Sequence, residues 1–160
     1  MDYTTIALGY NELYKEEQEK KIKILLEQLT IKKEWLIADI GAGTGFVEKI
    51  LPCTVLNIEP NPAMLEQAHG IKIQARAEQL PLKEKSVDGI TCITAIHHCN
   101  YQKAIAEMQR ILKSTGFIFI TLLKKAKQAE EIKSFLKRFN PIIIEEEKDW
   151  CFLIKNTESI

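Results

Sequence analysis

From residue 31 onward, short apolar runs alternate with stretches whose apolar positions recur every three or four residues. A run of four to eight apolar residues bounded by turn residues marks a buried strand. The three-to-four spacing marks a helix with one covered face. On that basis Ile37–Ile40, Cys53–Glu59, Ile71–Ala75, Val87–Thr94 and Phe117–Leu123 read as strands. Ile142–Ile144 and Trp150–Ile154, joined by Glu145–Asp149, read as an antiparallel hairpin. Helical spacing follows Phe46 and Ala63. It returns with Ile105, Met108, Ile111 and Leu112 on one face, closed by a Lys113–Gly116 turn. A last helix is predicted over Lys124–Phe139, with Ile132, Phe135, Leu136 and Phe139 inward and a lysine-rich, solvated outer face. Ahead of the first strand, Ile22, Leu25, Leu26 and Leu29 at i, i+3, i+4 and i+7 predict an amphipathic helix over residues 10–29. Strands alternating with helices give an α/β class: a doubly wound, mostly parallel seven-stranded sheet ending in the hairpin. One domain over residues 1–160 is expected, with a helical cap at 1–30 and the sheet core at 31–160.

Composition acts mainly by exclusion. At 160 residues the chain is long enough for one full core. Twenty-two Lys and Arg balance twenty-two Asp and Glu, so neither DNA nor an anionic membrane is the expected partner. Cys53, Cys92, Cys99 and Cys151 are scattered without a C-x-x-C pair, and three sit in apolar or strand-like surroundings. That is the pattern of buried free thiols in a reducing cytosol. The opening Met1–Thr4 is acidic and polar, unlike a signal peptide, and no apolar run approaches the roughly 18 to 20 residues of a membrane span. A soluble, cytoplasmic protein is expected.

Candidate chemistry starts at Ile37–Gly45, where an apolar run with one acid ends in Gly41, Gly43 and Gly45. Glycine lets the backbone take positive φ and approach a ligand closely, and the helix start beyond it offers unpaired N–H groups. A dinucleotide fingerprint needs a third small residue where Phe46 stands, and a P-loop needs Gly-Lys-Ser/Thr, so both are excluded. Glu59 lies 18 residues beyond Gly41 at the tip of the second strand. An acid at that spacing accepts hydrogen bonds from ribose hydroxyls in nucleotide-type α/β sites.

Asp39–Gly45 resembles the first motif, D-x-G-x-G-x-G, of class I S-adenosylmethionine-dependent methyltransferases. Asn57–Leu65 looks like the second motif and Ala77–Leu82 like the third. Ala95–His98 with Glu107–Lys113 is similar to the segment after the fourth strand in the ubiquinone/menaquinone-biosynthesis-like group. The resemblance implies a Rossmann-like core holding S-adenosylmethionine and releasing S-adenosylhomocysteine. It places Gly41, Ala42, Gly43 and Gly45 against the methionine part, with Asp39 supporting its amino group. Glu59 would hold the ribose, Pro60 and Met64 would flank the adenine, and the Ala77 backbone and Glu78 would read its edge. Two departures stand out: Arg76 replaces an acid before Ala77, and Lys113–Gly116 replaces a Lys-Pro-Gly-Gly turn.

Methyl transfer mainly requires positioning and water exclusion. A hydroxyl acceptor would gain from a base, and His97 or His98 is the candidate; the alternative is a packing residue and a surface group. Tyr10 and Tyr14, one helical turn apart, are either core packing or an aromatic flap over the acceptor. Zinc is rejected, because His69, His97, His98 and Cys99 lack chelating spacing. The expected reaction is methylation of a small molecule. No insert is read between the fifth strand and the following helix. The acceptor side is therefore expected to be open, or completed by a partner subunit or a second copy. A tRNA or protein acceptor with an activating subunit, and a catalytically silent cofactor-binding regulator, are the rival readings.

Overall fold

The computed structural model describes residues 3–155, with side chains from Glu12 onward. Its elements in chain order are α1 (Tyr3–Gln28), β1 (Leu36–Ile40), α2 (Phe46–Ile50), β2 (Thr54–Ile58), α3 (Pro62–Glu66) and β3 (Ile71–Ile73). They continue with β4 (Val87–Ile93), a 3-10 turn at Ile96–His98, α4 (Tyr101–Ile111), β5 (Leu112–Leu123), α5 (Ala129–Lys137), β6 (Ile142–Glu145) and β7 (Asp149–Lys155). The seven strands form one sheet in the order β3-β2-β1-β4-β5-β7-β6. From β3 to β5 all neighbours are parallel, while β7 runs antiparallel to both β5 and β6. The chain begins in the middle of the sheet, winds outward to β3, then returns to β4 on the other side of β1. Open α/β sheets hold ligands at such a reversal, outside the carboxyl ends of the strands.

The unbroken apolar runs are explained by burial on both faces. Along β5, Phe117 and Phe119 pack with Ile22 and Leu25 of α1 and Val47 of α2. Ile118, Ile120 and Leu122 pack with Ile105 and Met108 of α4 and Ile132 of α5. Strand β7 alternates in the same way, Cys151 and Leu153 on one side and Trp150, Phe152 and Ile154 on the other. Of the cysteines, Cys92 and Cys151 are buried, Cys53 and Cys99 are half-buried, and all four are free. Burial pushes the Cys99 thiol up to about 11 and Cys151 to about 12, which keeps both protonated and unreactive.

Three elements differ from the sequence expectation. The segment 113–116 does not form a turn: β5 begins at Leu112, directly after α4. Between Val87↔Leu112 and Gly89↔Phe117, β5 advances five residues while β4 advances two. Gly116 sits in that slip, where a Cβ would lie 2.8 Å from the Asp88 carbonyl oxygen. The last helix starts at Ala129 rather than Lys124, because the Lys124 N–H is bonded to the Lys148 carbonyl at 2.8 Å and continues the sheet side of the chain. Finally, the covered stripe of α1 is Gln18, Lys21, Ile22 and Leu25, while Leu26 is 38% exposed. The spacing is the expected one, displaced by a turn and half polar.

Helix α4 also fastens the loop after β3. The Glu107 carboxylate accepts from the Leu80 N–H at 2.8 Å, and the Arg110 guanidinium donates to the carbonyls of Leu80 (2.9 Å) and Leu82 (2.7 Å) and to Glu107. Arg110→Ala strips two carbonyls of a charged donor. A loss of about 1–3 kcal/mol in unfolding free energy is expected by urea denaturation; a stability equal to wild type would refute this fastening.

Candidate active site

The turn after β1 is built from three residues at positive φ, Gly41 (72°), Gly43 (57°) and Gly45 (86°). Gly41 is required twice over: besides its φ, a Cβ there would lie 2.5 Å from the Ala95 Cβ of the loop after β4. The Gly41 and Ala42 N–H groups bond the Ile58 carbonyl at 2.8 and 3.0 Å, which locks the turn against the end of β2. Glu59 follows immediately and is 7% exposed. Its Oε1 accepts from the Gly43 N–H at 3.0 Å and its Oε2 from the Asn61 N–H at 2.8 Å. The glycine turn and the acid, 16 residues apart, are thus joined directly. Each carboxylate oxygen keeps a second lone pair for a ligand.

Asp39, at 2% exposure, pairs across the strand reversal with Thr91, whose hydroxyl donates to its Oδ1 at 2.8 Å. Burial, against the pull of that hydrogen bond, and then the Glu59 charge raise the Asp39 carboxyl to about 7. A cavity of about 20 Å³ opens beside it, between α1 and the glycine turn, lined by Tyr14, Gln18, Asp39, Gly41, Ala42 and Phe46 among others. Tyr14 is half-buried and meets Phe46 edge to face at 5.7 Å between centroids. Gln18 is 4% exposed, and neither its Nε2 nor its Oε1 has a partner among the described residues. Sequence reasoning missed Gln18, since a glutamine between lysines and glutamates reads as solvent-facing. The Tyr10 side chain lies outside the described residues.

On the β2–β3 side, Pro60 and Met64 are exposed and Ala77 and Glu78 half-buried. The Met64 Cε lies 3.4 Å from where a Cβ on Gly43 would stand, so this side chain leans over the turn. Glu78 forms an ion pair at 3.2 Å with Arg76, the residue that departs from the family pattern. Arg76 is mostly exposed, so the pair is worth little.

At the carboxyl end of β4 the backbone is strained. Thr94 has φ 53°, rare for a β-branched residue, and its N–H bonds the Thr121 hydroxyl at 2.9 Å. The buried Lys21 ammonium donates to the Thr94 hydroxyl at 2.6 Å and pairs with Asp149 at 3.4 Å. Here too a residue that reads as surface charge is inside. Next comes the Ile96–His98 turn, with His97 half-buried, His98 exposed and their ring centroids 4.0 Å apart. Burial first, then the charges of His98 and Lys21, hold the His97 pKa below its ordinary 6.5. Its buried Nδ1 has no partner among the described residues. The two histidines therefore differ in kind, which the sequence could not tell.

A reversed parallel sheet with a left-handed glycine turn, an acid at the second strand tip and a buried acid beneath the turn is an arrangement found in nucleotide-type α/β ligand sites. The family described as a methyltransferase domain matches residues 38–120, from the buried acid's neighbour to the middle of β5. The chain belongs to that family. An uncharacterized protein of Methanocaldococcus jannaschii is 32% identical over 139 residues, covering 84% of this chain and 55% of that protein. The ubiquinone/menaquinone biosynthesis C-methyltransferase UbiE of Campylobacter jejuni is 30% identical over 135 residues, covering 72% of this chain and 57% of that one. This chain thus spans little more than half of either relative. Among solved structures, a chain of the Haloferax volcanii complex containing the Trm112 methyltransferase activator superposes with TM-score 0.71 at 15% identity. It covers 87% of this chain and 75% of that one.

Proposed function

We propose that this protein is an S-adenosylmethionine-dependent methyltransferase that methylates a small-molecule acceptor at the carboxyl ends of β4 and β5. The observation that carries the reading is the positive-φ glycine turn whose Gly43 N–H is joined to the Glu59 carboxylate, beside the buried Asp39. The residues fit the cofactor. Asp39 offers a carboxylate to its ammonium, Gly41, Ala42, Gly43 and Gly45 give backbone contact, and Glu59 keeps lone pairs for a ribose diol. Pro60 and Met64 flank an adenine, with the Ala77 backbone and Glu78 at its edge. When bound, the cofactor supplies an electrophilic methyl group and leaves as a neutral thioether. The protein's part is to align the acceptor, exclude water and hold a proton where one is released.

That last task falls to His97. Its depressed pKa keeps the imidazole neutral near pH 7, the form that can take a proton. Because the neutral form is the base, activity should rise as pH climbs through a value below 6.5 and then level off. His97→Gln should remove that acid limb and lower kcat by about 10² to 10⁴, leaving cofactor affinity unchanged, as read from a pH–rate profile and calorimetry. An unchanged profile would return His97 to a packing role, and His98→Gln serves as the comparison. Tyr14 faces the same end of the sheet and would wall the acceptor side.

The decisive experiment is incubation with methyl-labelled S-adenosylmethionine and a cell extract fractionated by size. Label in the small-molecule fraction is expected. A second reading, a macromolecular acceptor with a partner subunit, is favoured by the exposed isoleucines on the edge strands, Ile71 on β3 and Ile142 and Ile143 on β6. It predicts label in protein or RNA. Tight binding with no transfer anywhere would point to a regulator and defeat both.

A further inference from the structure

Gln18 is an anomaly in the apolar stripe of α1. Its neighbours on that stripe, Ile22 and Leu25, are wholly buried and pack on the sheet. Lys21, the other polar member, satisfies its ammonium with Thr94 and Asp149. Gln18 alone has a buried side chain with a donor group and an acceptor both unused among the described residues. An amide taken out of water without partners costs free energy, and an apolar side chain of like size would remove that cost. The amide lines the same small cavity as Asp39 and the Gly41–Ala42 backbone. At about 20 Å³ the space is too small for a ring, and the groups that line it suit the polar end of a ligand.

We propose that Gln18 is a cofactor-binding residue whose side-chain amide grips the α-amino-acid end of S-adenosylmethionine opposite Asp39. The inference rests on the cofactor assignment above and extends it to α1. The chemistry of the two ends matches. Asp39 with Thr91 on one oxygen presents an acceptor to an ammonium. The adjoining carboxylate of an amino acid needs donors, and Nε2 carries two. Oε1 is left to accept from the ammonium. A neutral amide reads a zwitterion without adding net charge beside Asp39 and Glu59. Cofactor entry would then satisfy the amide and fasten α1 over the glycine turn.

The test compares two probes that differ only at this end: S-adenosylhomocysteine, which has the amino-acid group, and 5′-methylthioadenosine, which lacks it. Calorimetry on wild type, Gln18→Met and Gln18→Leu is paired with thermal unfolding without ligand. The variants should bind S-adenosylhomocysteine about tenfold or more weakly, the loss of one to two hydrogen bonds, and bind 5′-methylthioadenosine within about twofold of wild type. Their ligand-free Tm should be equal to or above wild type, because an unpartnered amide has been replaced by an apolar side chain. Two outcomes overturn the inference alone: S-adenosylhomocysteine affinity retained in both variants, or equal loss of both probes together with a lowered Tm, which would mark Gln18 as structural. If wild type binds neither probe, the cofactor assignment falls and this inference falls with it.

Discussion

Asp39→Asn is expected to stabilise the ligand-free protein at neutral and alkaline pH while abolishing its affinity for the cofactor. The folded carboxyl titrates near 7 against an ordinary 3.8, chiefly because it is buried. A group whose pKa is raised by folding stabilises the fold below its unfolded value, and that contribution is lost as pH rises through the folded one. For wild type the loss therefore runs from about pH 4 to pH 8 and amounts to about 4 kcal/mol at most. Asparagine does not titrate, and its carbonyl can still accept from Thr91. The gap between variant and wild type should be small at pH 4 to 5 and grow toward pH 8, as measured by urea unfolding at each pH. The same substitution removes the buried carboxylate beneath the glycine turn that would meet an ammonium. Calorimetry should show no binding of S-adenosylmethionine at concentrations that saturate wild type. A variant that binds normally would sink the role given to Asp39, whatever its stability.

Glu59→Ala should also weaken binding severely. It removes the acceptors of two backbone N–H groups, Gly43 and Asn61, and with them the tie between the turn and the β2 end. It also removes the carboxylate proposed above to meet the ribose hydroxyls. Hydrogen bonds to a charged group are worth about 1.5–3 kcal/mol each, so a loss of about 10² to 10⁴ in affinity is expected. Glu59→Gln separates the two effects, since an amide oxygen can still accept from one N–H while the charge is gone. If Glu59→Ala binds within a few-fold of wild type, the ribose assignment is wrong and the carboxylate serves only the turn.

The stripe of α1 shows where residue patterns stop being informative. A helix spacing of i, i+3, i+4 and i+7 is satisfied by Ile22–Leu29 and equally by Gln18–Leu25, and hydropathy prefers the first. The fold buries the second: the end of β4 supplies a partner for the Lys21 ammonium and the Gln18 side chain faces the cavity, and no local window contains either. Segment 113–116 failed for a similar reason: a turn composition was overruled by pairing of Leu112 with Val87, a partner 25 residues away. By contrast, the glycine turn, Asp39 and Glu59 were legible, since backbone φ and strand-tip position follow from local composition.

The order of residues alone determined the α/β class, the seven strands, the left-handed turn after β1 and the acid at the second strand tip. Each depends on short-range sterics or on apolar runs that can be buried only between two helical layers. The tertiary structure decided which polar residues went inside. It set Asp39 against Thr91, distinguished His97 from His98, drew Lys21 to Asp149 and left the Gln18 amide facing a cavity. Those outcomes depend on desolvation and on partners distant in the chain, and neither quantity exists until the sheet and α1 have closed on each other.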